Sequence, residues 1–393
     1  MNKRADKERL ALIMLLGDAS GDPRPRRMID LLINDGYMVD LAGYNPAQEL
    51  PVRKNFLIKQ DITLFDRRRT QIILYLKRVM SFLYPIGTLN NWLNGMAYRI
   101  LDLNRELDKF NYDLIVVEDL FLLPIAFKVR NKMKIIFDAR EYYPLQNEER
   151  FLWRIFEKPD RIRLCRKYLK QCYKVLTVSP GLAERYKLEF NVDSTIYFSV
   201  PFKVDRNITN TLKHSIRIVH HGVANANRQL EKMIDVVKML DERFTFDMYL
   251  TGSMEYIEFL KKYSHGIPSV RICNPIPFDQ INEVLASNYD IGFFYNEPLT
   301  FNLRHSLPNK IFEFIQARLA VAIAPSPDMS EIVKKYNCGV IAPEFTVISM
   351  ASVLNSLTSN EIDKMKMNAD IAAQELNYEK ESIKFLKILK SVV

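Results

Sequence analysis

The chain is poor in cysteine and has no long apolar run. Its four cysteines include no Cys-x-x-Cys pair. That pattern argues against a structural zinc site and a disulfide framework, and it is typical of a reducing compartment. No stretch approaches the roughly 18 apolar residues that a membrane-spanning helix needs, so no such helix is predicted. A composition of 48% hydrophobic and 26% charged residues excludes a disordered or fibrous chain.

The length of 393 residues predicts two domains, since domains commonly hold about 100–200 residues. Short apolar runs alternate with amphipathic stretches on both sides of residue 200, and continuous apolar runs are typical of parallel strands covered on both faces. We therefore predict an α/β protein with two Rossmann-like, doubly wound domains that face a central cleft, where ligands of such sheets bind. The predicted strands are Leu10–Leu16, Met38–Leu41, Leu114–Val117, Ile135–Phe137, Lys174–Val178, Ile216–His220, Phe246–Leu250, Val270–Ile272, Ile291–Phe294 and Val321–Ile323.

The predicted domain boundaries follow from where this pattern stops and restarts. The first domain covers residues 1–200, and the second covers 214–370. The segment 201–213 is polar and without a clear period, so it is interpreted as the linker. A further helical stretch is predicted over 371–393.

The net charge of +9 lies entirely in the first half of the chain. Residues 1–200 hold 34 basic and 25 acidic residues, whereas residues 201–393 hold 22 of each. Within the first half, residues 67–105 interleave basic and aromatic side chains at roughly helical spacing. Such a segment suits a membrane interface that carries anionic lipid, and the alternative is a core-packing helix with solvated charges. No nucleic-acid recognition motif is present, so nucleic acid is not expected as a partner.

The window Asn302–Arg318 contains the densest group of candidate binding residues. Pro308 precedes a strong helical pattern, and Ser306 is a candidate N-cap for it. A helix N-terminus next to Lys310 is a suitable diphosphate site. Glu313 lies one turn further on, where its carboxylate could accept two hydrogen bonds from a ribose diol. The alternative is an ordinary capped helix with a solvated glutamate.

This window, reading NLRHSLPNKIFEFIQAR, resembles the donor site of GT-B glycosyltransferases of family 4, which are retaining enzymes that use nucleotide sugars. Their motif has two glutamates separated by seven residues. Glu313 matches the second glutamate, and His305 stands in place of the first, which usually serves the transferred sugar or its phosphate. The donor-binding residues that the resemblance implies are Gly222, Arg228, Asn274, Ser306, Leu307, Pro308, Asn309, Lys310 and Glu313.

The first half of the chain resembles the same family at several loops. The loop Gly17–Arg27 is similar to the family's first strand-to-helix loop, which implies that Gly21, Arg24 and Arg26 meet the diphosphate or an acceptor phosphate. Glu118 and Arg140 both stand where the family usually has histidine. The resemblance makes Glu118 or Asp119 a candidate for orienting the acceptor hydroxyl or accepting its proton, although either carboxylate could simply begin a helix. It also places the acceptor side in residues 1–200 and implies that the last helix crosses back to that domain.

Taken together, these features predict an enzyme that moves a sugar from a nucleotide-sugar donor to a lipid-linked or polysaccharide acceptor. Subfamilies with a similar SLPNK segment suggest surface glycan synthesis, such as capsule, exopolysaccharide or lipopolysaccharide. No Asp-x-Asp triplet occurs in the sequence, so no metal and no other cofactor is expected, and Arg228 and Lys310 would stabilise the leaving diphosphate. The expected location is cytoplasmic, on the inner face of the cell membrane. The alternatives are a sugar-nucleotide epimerase of the same architecture and a non-catalytic partner subunit.

Overall fold

A computed structural model of the chain describes residues 8–44, 50–58, 64–83, 87–129 and 133–392. The chain forms two compact units. The N-terminal unit comprises Met1–Phe198 and Lys384–Val393, and the C-terminal unit comprises Ser199–Ile383. Among the described residues, no helix combines the length and the hydrophobicity that crossing a bilayer requires.

The N-terminal unit is built on a seven-stranded sheet in which every strand pairs in parallel, in the order β3-β2-β1-β4-β5-β6-β7. The central strands are continuous apolar runs because helices cover both faces of such a sheet, and all four residues of Leu114–Val117 are buried. The strands are β1 Arg9–Met14, β2 Tyr37–Gly43, β3 Lys54–Leu57, β4 Leu114–Val117, β5 Lys134–Ala139, β6 Lys174–Thr177 and β7 Ser194–Ile196.

The helices of this unit follow the strands that they cover. The first helix begins after Asp22, whose side chain caps it by accepting a hydrogen bond from the amide of Arg24. The helices are α1 Pro23–Asn34, α2 Leu64–Leu83, α3 Gly87–Ala97, α4 Leu103–Leu107, α5 Leu123–Ala126, α6 Phe151–Phe156, α7 Lys158–Tyr168 and α8 Pro180–Phe190.

The C-terminal unit repeats this plan with a six-stranded parallel sheet in the order β10-β9-β8-β11-β12-β13. Its strands are β8 Ile216–Ala224, β9 Phe244–Gly252, β10 Val270–Cys273, β11 Ile291–Phe294, β12 Ala320–Ile323 and β13 Gly339–Ile341. Its helices are α9 Glu231–Lys238, α10 Met254–Tyr263, α11 Ile281–Asn288, α12 Phe301–Arg304, α13 Asn309–Gln316, α14 Pro327–Tyr336, α15 Val347–Asn355, α16 Ser359–Glu375 and α17 Tyr378–Lys390, the last of which continues into the N-terminal unit.

The end of the chain contains two helices, because α16 stops at the cap residue Leu376 and α17 begins at Tyr378. The residues of α17 from Lys384 onwards belong to the N-terminal unit. There the ring of Phe385 lies 5.8 Å from that of Tyr197. The carbonyl of Ser391 accepts a hydrogen bond of 2.8 Å from the ammonium of Lys134.

The predicted fold class is confirmed in its two doubly wound, parallel α/β sheets. Each predicted strand corresponds to a strand of the structure, with ends that differ by at most four residues. The structure adds three short edge strands, β3, β7 and β13, which the sequence pattern did not indicate.

Candidate active site

The first candidate site lies at the carboxyl edge of the sheet in the C-terminal unit. Gly222, near the end of β8, has a φ of +131°, a conformation that L side chains rarely adopt. A Cβ atom at this position would overlap Cε and Nζ of Lys310, on the first turn of α13. The glycine therefore lets the lysine lie directly against β8, and the two predicted donor residues are brought into contact.

Lys310 places a cation in this site, one turn before Glu313 on α13. The residue is only 8% exposed. Burial and the charge of Arg228 together lower the pKa of its ammonium to about 8, and Glu313 acts in the opposite direction. Within the described part of the chain, no hydrogen bond or ion pair holds this ammonium. A buried cation beside a second cation makes this edge of the sheet electropositive.

Arg228 supplies the second cation. It ends a 3-10 turn, Ala226–Arg228, which Asn225 caps by accepting a hydrogen bond of 3.0 Å from the amide of Asn227. Loss of hydration lowers the pKa of its guanidinium. No carboxylate among the described residues forms an ion pair with it, so its donors are available for bidentate contact with a phosphate.

Glu313 lies beside His221, which was not among the predicted donor-binding residues. The Nε2 atom of His221 lies 3.1 Å from the carboxylate of Glu313, and the edge of the imidazole meets the ring of Phe314 at a centroid distance of 5.6 Å. The neighbouring His220 is structural, because its Nδ1 bonds the carbonyl of Phe293 at 3.0 Å and burial holds its pKa well below the ordinary value. The only sequence signal for His221 was its position just before Gly222.

The segment before α13 differs from the prediction in one respect. Pro308, rather than Ser306, occupies the N-cap position, and α13 has no side-chain cap. The hydroxyl of Ser306 donates instead to the carbonyl of Leu303 at 2.9 Å, because the short helix α12, which was not predicted, ends there and leaves carbonyl groups to satisfy. The prediction of Ser306 as the N-cap was therefore wrong, and the first-turn amides of α13 are left without a side-chain partner.

Three other predicted donor residues occupy different environments. Leu307 is buried in the core. Asn309 is the first residue of α13 and is half-buried. Asn274 is exposed directly after β10, on the same carboxyl edge of the sheet. His305 ends α12, and its Nδ1 lies 2.8 Å from a carboxylate oxygen of Asp328.

A second cluster lies at the carboxyl edge of the sheet in the N-terminal unit. Glu118 follows β4 directly and is 3% exposed. The guanidinium of Arg140 bonds Glu118 on one side and Asp22 on the other. Burial raises the pKa of Glu118 to about 8, which the charge of Arg140 opposes. The two positions that depart from the histidines of the resembled family therefore form an ion pair with each other.

Asp119, the other candidate carboxylate, has a structural partner. It accepts a hydrogen bond of 2.6 Å from the amide of Leu16 and so holds the loop after β1. Glu118 is left as the carboxylate whose second oxygen, Oε1, is buried without a hydrogen-bond partner among the described residues.

The three residues that were predicted to meet the diphosphate or an acceptor phosphate, Gly21, Arg24 and Arg26, differ in burial and in bonding partners. Arg24 is buried and donates to both carboxylate oxygens of Asp138, at 2.5 and 2.6 Å, and to the carbonyl of Tyr197 at 2.8 Å. Arg26 is exposed and donates to the carbonyl of Ser20 at 3.0 Å. Open space surrounds Gly21, where an added Cβ would meet nothing within 4 Å.

The part of the chain that the structure describes contains no group of three or more His, Cys, Asp or Glu side chains placed to hold a metal ion.

No known protein-family model matches the chain, and neither does any curated protein sequence. Its fold is nevertheless found in several solved structures. HepE of Anabaena, in complex with UDP and glucose, is similar with a TM-score of 0.68 and 12% identity over 98% of this chain and 100% of that one. The sucrose-phosphate synthase of Thermosynechococcus elongatus has a TM-score of 0.67 and 10% identity over 98% and 99%. The trehalose 6-phosphate synthase of Burkholderia multivorans has a TM-score of 0.66 and 12% identity over 98% and 99%. The chain therefore has the GT-B fold.

Gly222→Ala is expected to weaken diphosphate binding at least tenfold, because the new methyl group displaces the ammonium of Lys310 and each 1.4 kcal/mol lost costs about tenfold. Gly266→Ala is the matched control, since Gly266 also has a positive φ, +83°, but nothing lies within 4 Å of an added Cβ. Both variants should lose stability through backbone strain. Titration with UDP and GDP distinguishes them, and equal affinity in the two variants would contradict this role for Gly222.

Proposed function

We propose that this protein is a glycosyltransferase that takes its sugar from a nucleotide-sugar donor bound in the C-terminal unit. The observation that carries the proposal is the pair of cations, Lys310 and Arg228, which no ion pair among the described residues neutralises and which lie near Glu313 at the carboxyl edge of the sheet. A diphosphate supplies the missing charge, and the two hydroxyls of a ribose match a carboxylate, which only accepts hydrogen bonds. The presence of UDP and glucose in the structurally similar HepE supports this assignment.

The chemistry that this arrangement supports is the departure of a nucleoside diphosphate. Negative charge builds on the leaving diphosphate as its bond to the sugar breaks. Lys310, which lies against β8, together with Arg228 and the uncapped amides of α13, would stabilise that charge electrostatically. Glu313, with His221 beside it, binds the ribose of the nucleotide. Following the family 4 resemblance, we further propose that the configuration at the anomeric carbon is retained.

The acceptor is proposed to bind at the Glu118 cluster. Burial raises the pKa of the Glu118 carboxyl, which makes it a stronger proton acceptor than an exposed glutamate. Its unpartnered Oε1 can accept a hydrogen bond from an acceptor hydroxyl, while Arg140 fixes the other oxygen. Glu118 thus orients the hydroxyl that attacks the sugar.

A lipid-linked acceptor in surface glycan synthesis is supported by an exposed apolar face on the N-terminal unit. Helix α2 turns Ile73 towards α3 and the buried Lys77 towards Asp160 of α7, at 2.8 Å. Its opposite side presents four large side chains that are 42–62% exposed, and α6 presents three more that are 44–65% exposed. These side chains are Ile72, Tyr75, Leu76 and Val79 of α2, and Phe151, Leu152 and Ile155 of α6.

Helices α2 and α6 lie next to each other. Arg68, Ile72 and Tyr75 of α2 line one cavity together with Arg150, which directly precedes α6. An apolar face with arginines beside it fits the interfacial region of an anionic bilayer. We therefore propose that the protein works at the inner face of the cell membrane. Part of the predicted amphipathic segment 67–105, including Tyr84, lies outside the described residues.

Replacing Arg67 and Arg68 with glutamate is expected to lower partition onto vesicles of anionic lipid about 30-fold or more, since each basic residue near such a surface contributes about 1 kcal/mol. Flotation with anionic and with neutral vesicles measures this effect. Replacing Lys261 and Lys262 with glutamate changes the same charge on an exposed face of α10 in the C-terminal unit, so that variant should float as the wild type does. Unchanged flotation of the α2 variant would rule out this face as the membrane contact.

The proposed activity is tested by incubating the protein with UDP-, GDP- and CMP-sugars, with and without a membrane extract that contains lipid-linked acceptors. Extract-dependent release of one nucleotide, lost in Glu313→Gln, is the expected result. A change in the sugar of the donor without any acceptor would instead identify an epimerase. Failure of every nucleotide sugar to bind would leave the non-catalytic subunit as the better account.

A further inference from the structure

Helices α6 and α7, which lie between β5 and β6 in the chain, contain a concentration of positive charge that the proposed function does not explain. Residues 150–170 hold eight basic and two acidic side chains. A cavity of about 640 Å³ opens along the two helices, and five of the residues that line it are basic. These five are Arg154 of α6 and Lys158, Arg163, Arg166 and Lys167 of α7.

The two acidic residues of this segment are buried in ion pairs and do not neutralise the cavity. Glu157 is 6% exposed, and its carboxylate lies 3.1 Å from the guanidinium of Arg161. Asp160 is 3% exposed and pairs with Lys77 at 2.8 Å and with Arg163 at 2.6 Å. Of the five cations that line the cavity, Arg163 is therefore the one that a carboxylate of the described residues neutralises. The other four give the cavity a positive potential.

The cations follow one face of α7. Lys158, Ile162 and Arg166 are each four residues apart, a spacing that places them on the same side of a helix. The eight residues from Lys158 to Arg166 rise roughly 12 Å along the axis, and the half-buried Ile162 lies between the two ends. Guanidinium and ammonium groups both bind phosphate. Their spread along α7 therefore matches two phosphate groups rather than one.

The cavity continues into the exposed apolar face of α6. The guanidinium carbon of Arg154 lies 5.7 Å from the ring centre of Phe151. Leu152 and Ile155, on either side of Arg154 in the sequence, are 55% and 44% exposed. A soluble polyanion would gain nothing from these apolar side chains. A lipid, in contrast, places its acyl chains beside them and its phosphates beside the basic groups.

We propose that the cavity along α7 binds the head group of an anionic phospholipid that carries two phosphates. This inference rests on the membrane location proposed above and adds a preference for one class of lipid. Charge alone attracts the protein to any anionic surface. A cavity with cations at both ends also distinguishes lipids by the arrangement of their phosphates.

Flotation on vesicles of equal charge density tests this preference. One set of vesicles contains cardiolipin, which carries two phosphates per molecule, and the other contains twice as much phosphatidylglycerol, which carries one. The wild type should partition onto the cardiolipin vesicles about tenfold more strongly, the gain from one additional hydrogen bond to a charged group. The double variant Arg166→Gln with Lys167→Gln should lose this preference without losing stability, since both side chains are exposed.

The matched control is the double variant Lys128→Gln with Lys170→Gln. It removes the same charge from two exposed positions of the N-terminal unit that do not line the cavity, so it should keep the preference for cardiolipin. Equal partition of the wild type onto both sets of vesicles would overturn the inference. A preference that survives in Arg166→Gln with Lys167→Gln would overturn it as well.

Two further outcomes separate this inference from its alternatives. Stronger binding to soluble heparin than to cardiolipin vesicles, lost in Arg166→Gln with Lys167→Gln, would identify an anionic polysaccharide as the ligand and contradict the lipid assignment. If the wild type floats on neither set of vesicles, the inference and the proposed membrane location fail together. Binding of nucleotide sugars is measured without vesicles, so the proposed donor site is decided independently.

Discussion

Lys310→Met is expected to lower turnover about 10²–10³-fold, the usual cost of removing one preorganised group that stabilises developing charge, and at the same time to stabilise the folded protein. The two effects have opposite signs because the ammonium is buried without an ion pair among the described residues. Burial of a charge costs free energy in the absence of ligand, and methionine has a similar length without the charge. A residue that serves only the fold would not behave in this way.

The stabilisation should depend on pH in a defined window. The pKa of Lys310 is lowered from 10.5 to about 8 in the folded state, so between these values the folded protein binds fewer protons than the unfolded chain. The free energy of unfolding of the wild type therefore rises with pH through that window. The advantage of Lys310→Met should be largest below pH 8, at most about 3 kcal/mol, and should vanish above the ordinary lysine pKa. Denaturant unfolding at several pH values measures it, with Lys261→Met on the surface as the control. A variant that is less stable than the wild type and still binds UDP or GDP would contradict this account.

Arg24→Met is expected to destabilise the N-terminal unit by about 3–5 kcal/mol, because it leaves the carboxylate of Asp138 buried and unpaired. Asp138 is fully buried, and among the described residues the other cation that is recorded near it, Arg140, lies 3.9 Å away. Replacing both partners, with Arg24→Met and Asp138→Leu together, should recover most of the loss, since a hydrophobic pair of similar volume avoids the unpaired charge.

Arg26→Met is the control for Arg24→Met, because Arg26 lies two residues after Arg24 and is exposed. Its free energy of unfolding should change by less than about 0.5 kcal/mol. If Arg24→Met unfolds at the wild-type denaturant concentration, the arginine does not stabilise the unit, and the sequence-based role in phosphate binding becomes the better interpretation.

The sequence predicted the central strands but not the edges of the sheets. A central parallel strand is a continuous apolar run, such as Leu114–Val117, and is visible as such. The edge strand β3 has one buried residue in four, and β7 has three that are only partly buried. Strands of three or four residues that face solvent show neither a run nor an alternation, so their pairing is decided by the strand beside them.

Contacts within the donor site were predictable only where they lie within one helix. Lys310 and Glu313 are one turn apart on α13 and follow from its periodicity. The contacts of Glu313 with His221, and of His305 with Asp328, join elements that meet only because their strands are neighbours in the sheet. Arg24 illustrates the opposite case. Its place in a glycine-containing loop predicted a phosphate ligand, and nothing local revealed that Asp138 would lie buried beside it.

The basic segment 67–105 was predicted correctly as helical, but the sequence did not show which side of α2 is buried and which side is exposed. Ile73 packs with Leu93 and Ala97, while Lys77 is buried in an ion pair with Asp160. A basic residue such as Lys77 in an amphipathic helix is predicted to face solvent, because its partner carboxylate, here Asp160, lies far away in the sequence. The additional apolar face of α6 was missed because six residues are too few to show a period.

Calorimetric titration with UDP and GDP tests the central claim, a donor site in the C-terminal unit, most directly. The account predicts that one nucleoside diphosphate binds the wild type and that its affinity falls at least tenfold in Glu313→Gln, in which an NH2 donor replaces one of the two acceptor oxygens and the negative charge is lost. Glu344→Gln, an exposed carboxylate in the same unit, should bind as the wild type does. Equal affinity of the wild type and Glu313→Gln, or no binding of either nucleotide, would contradict the account.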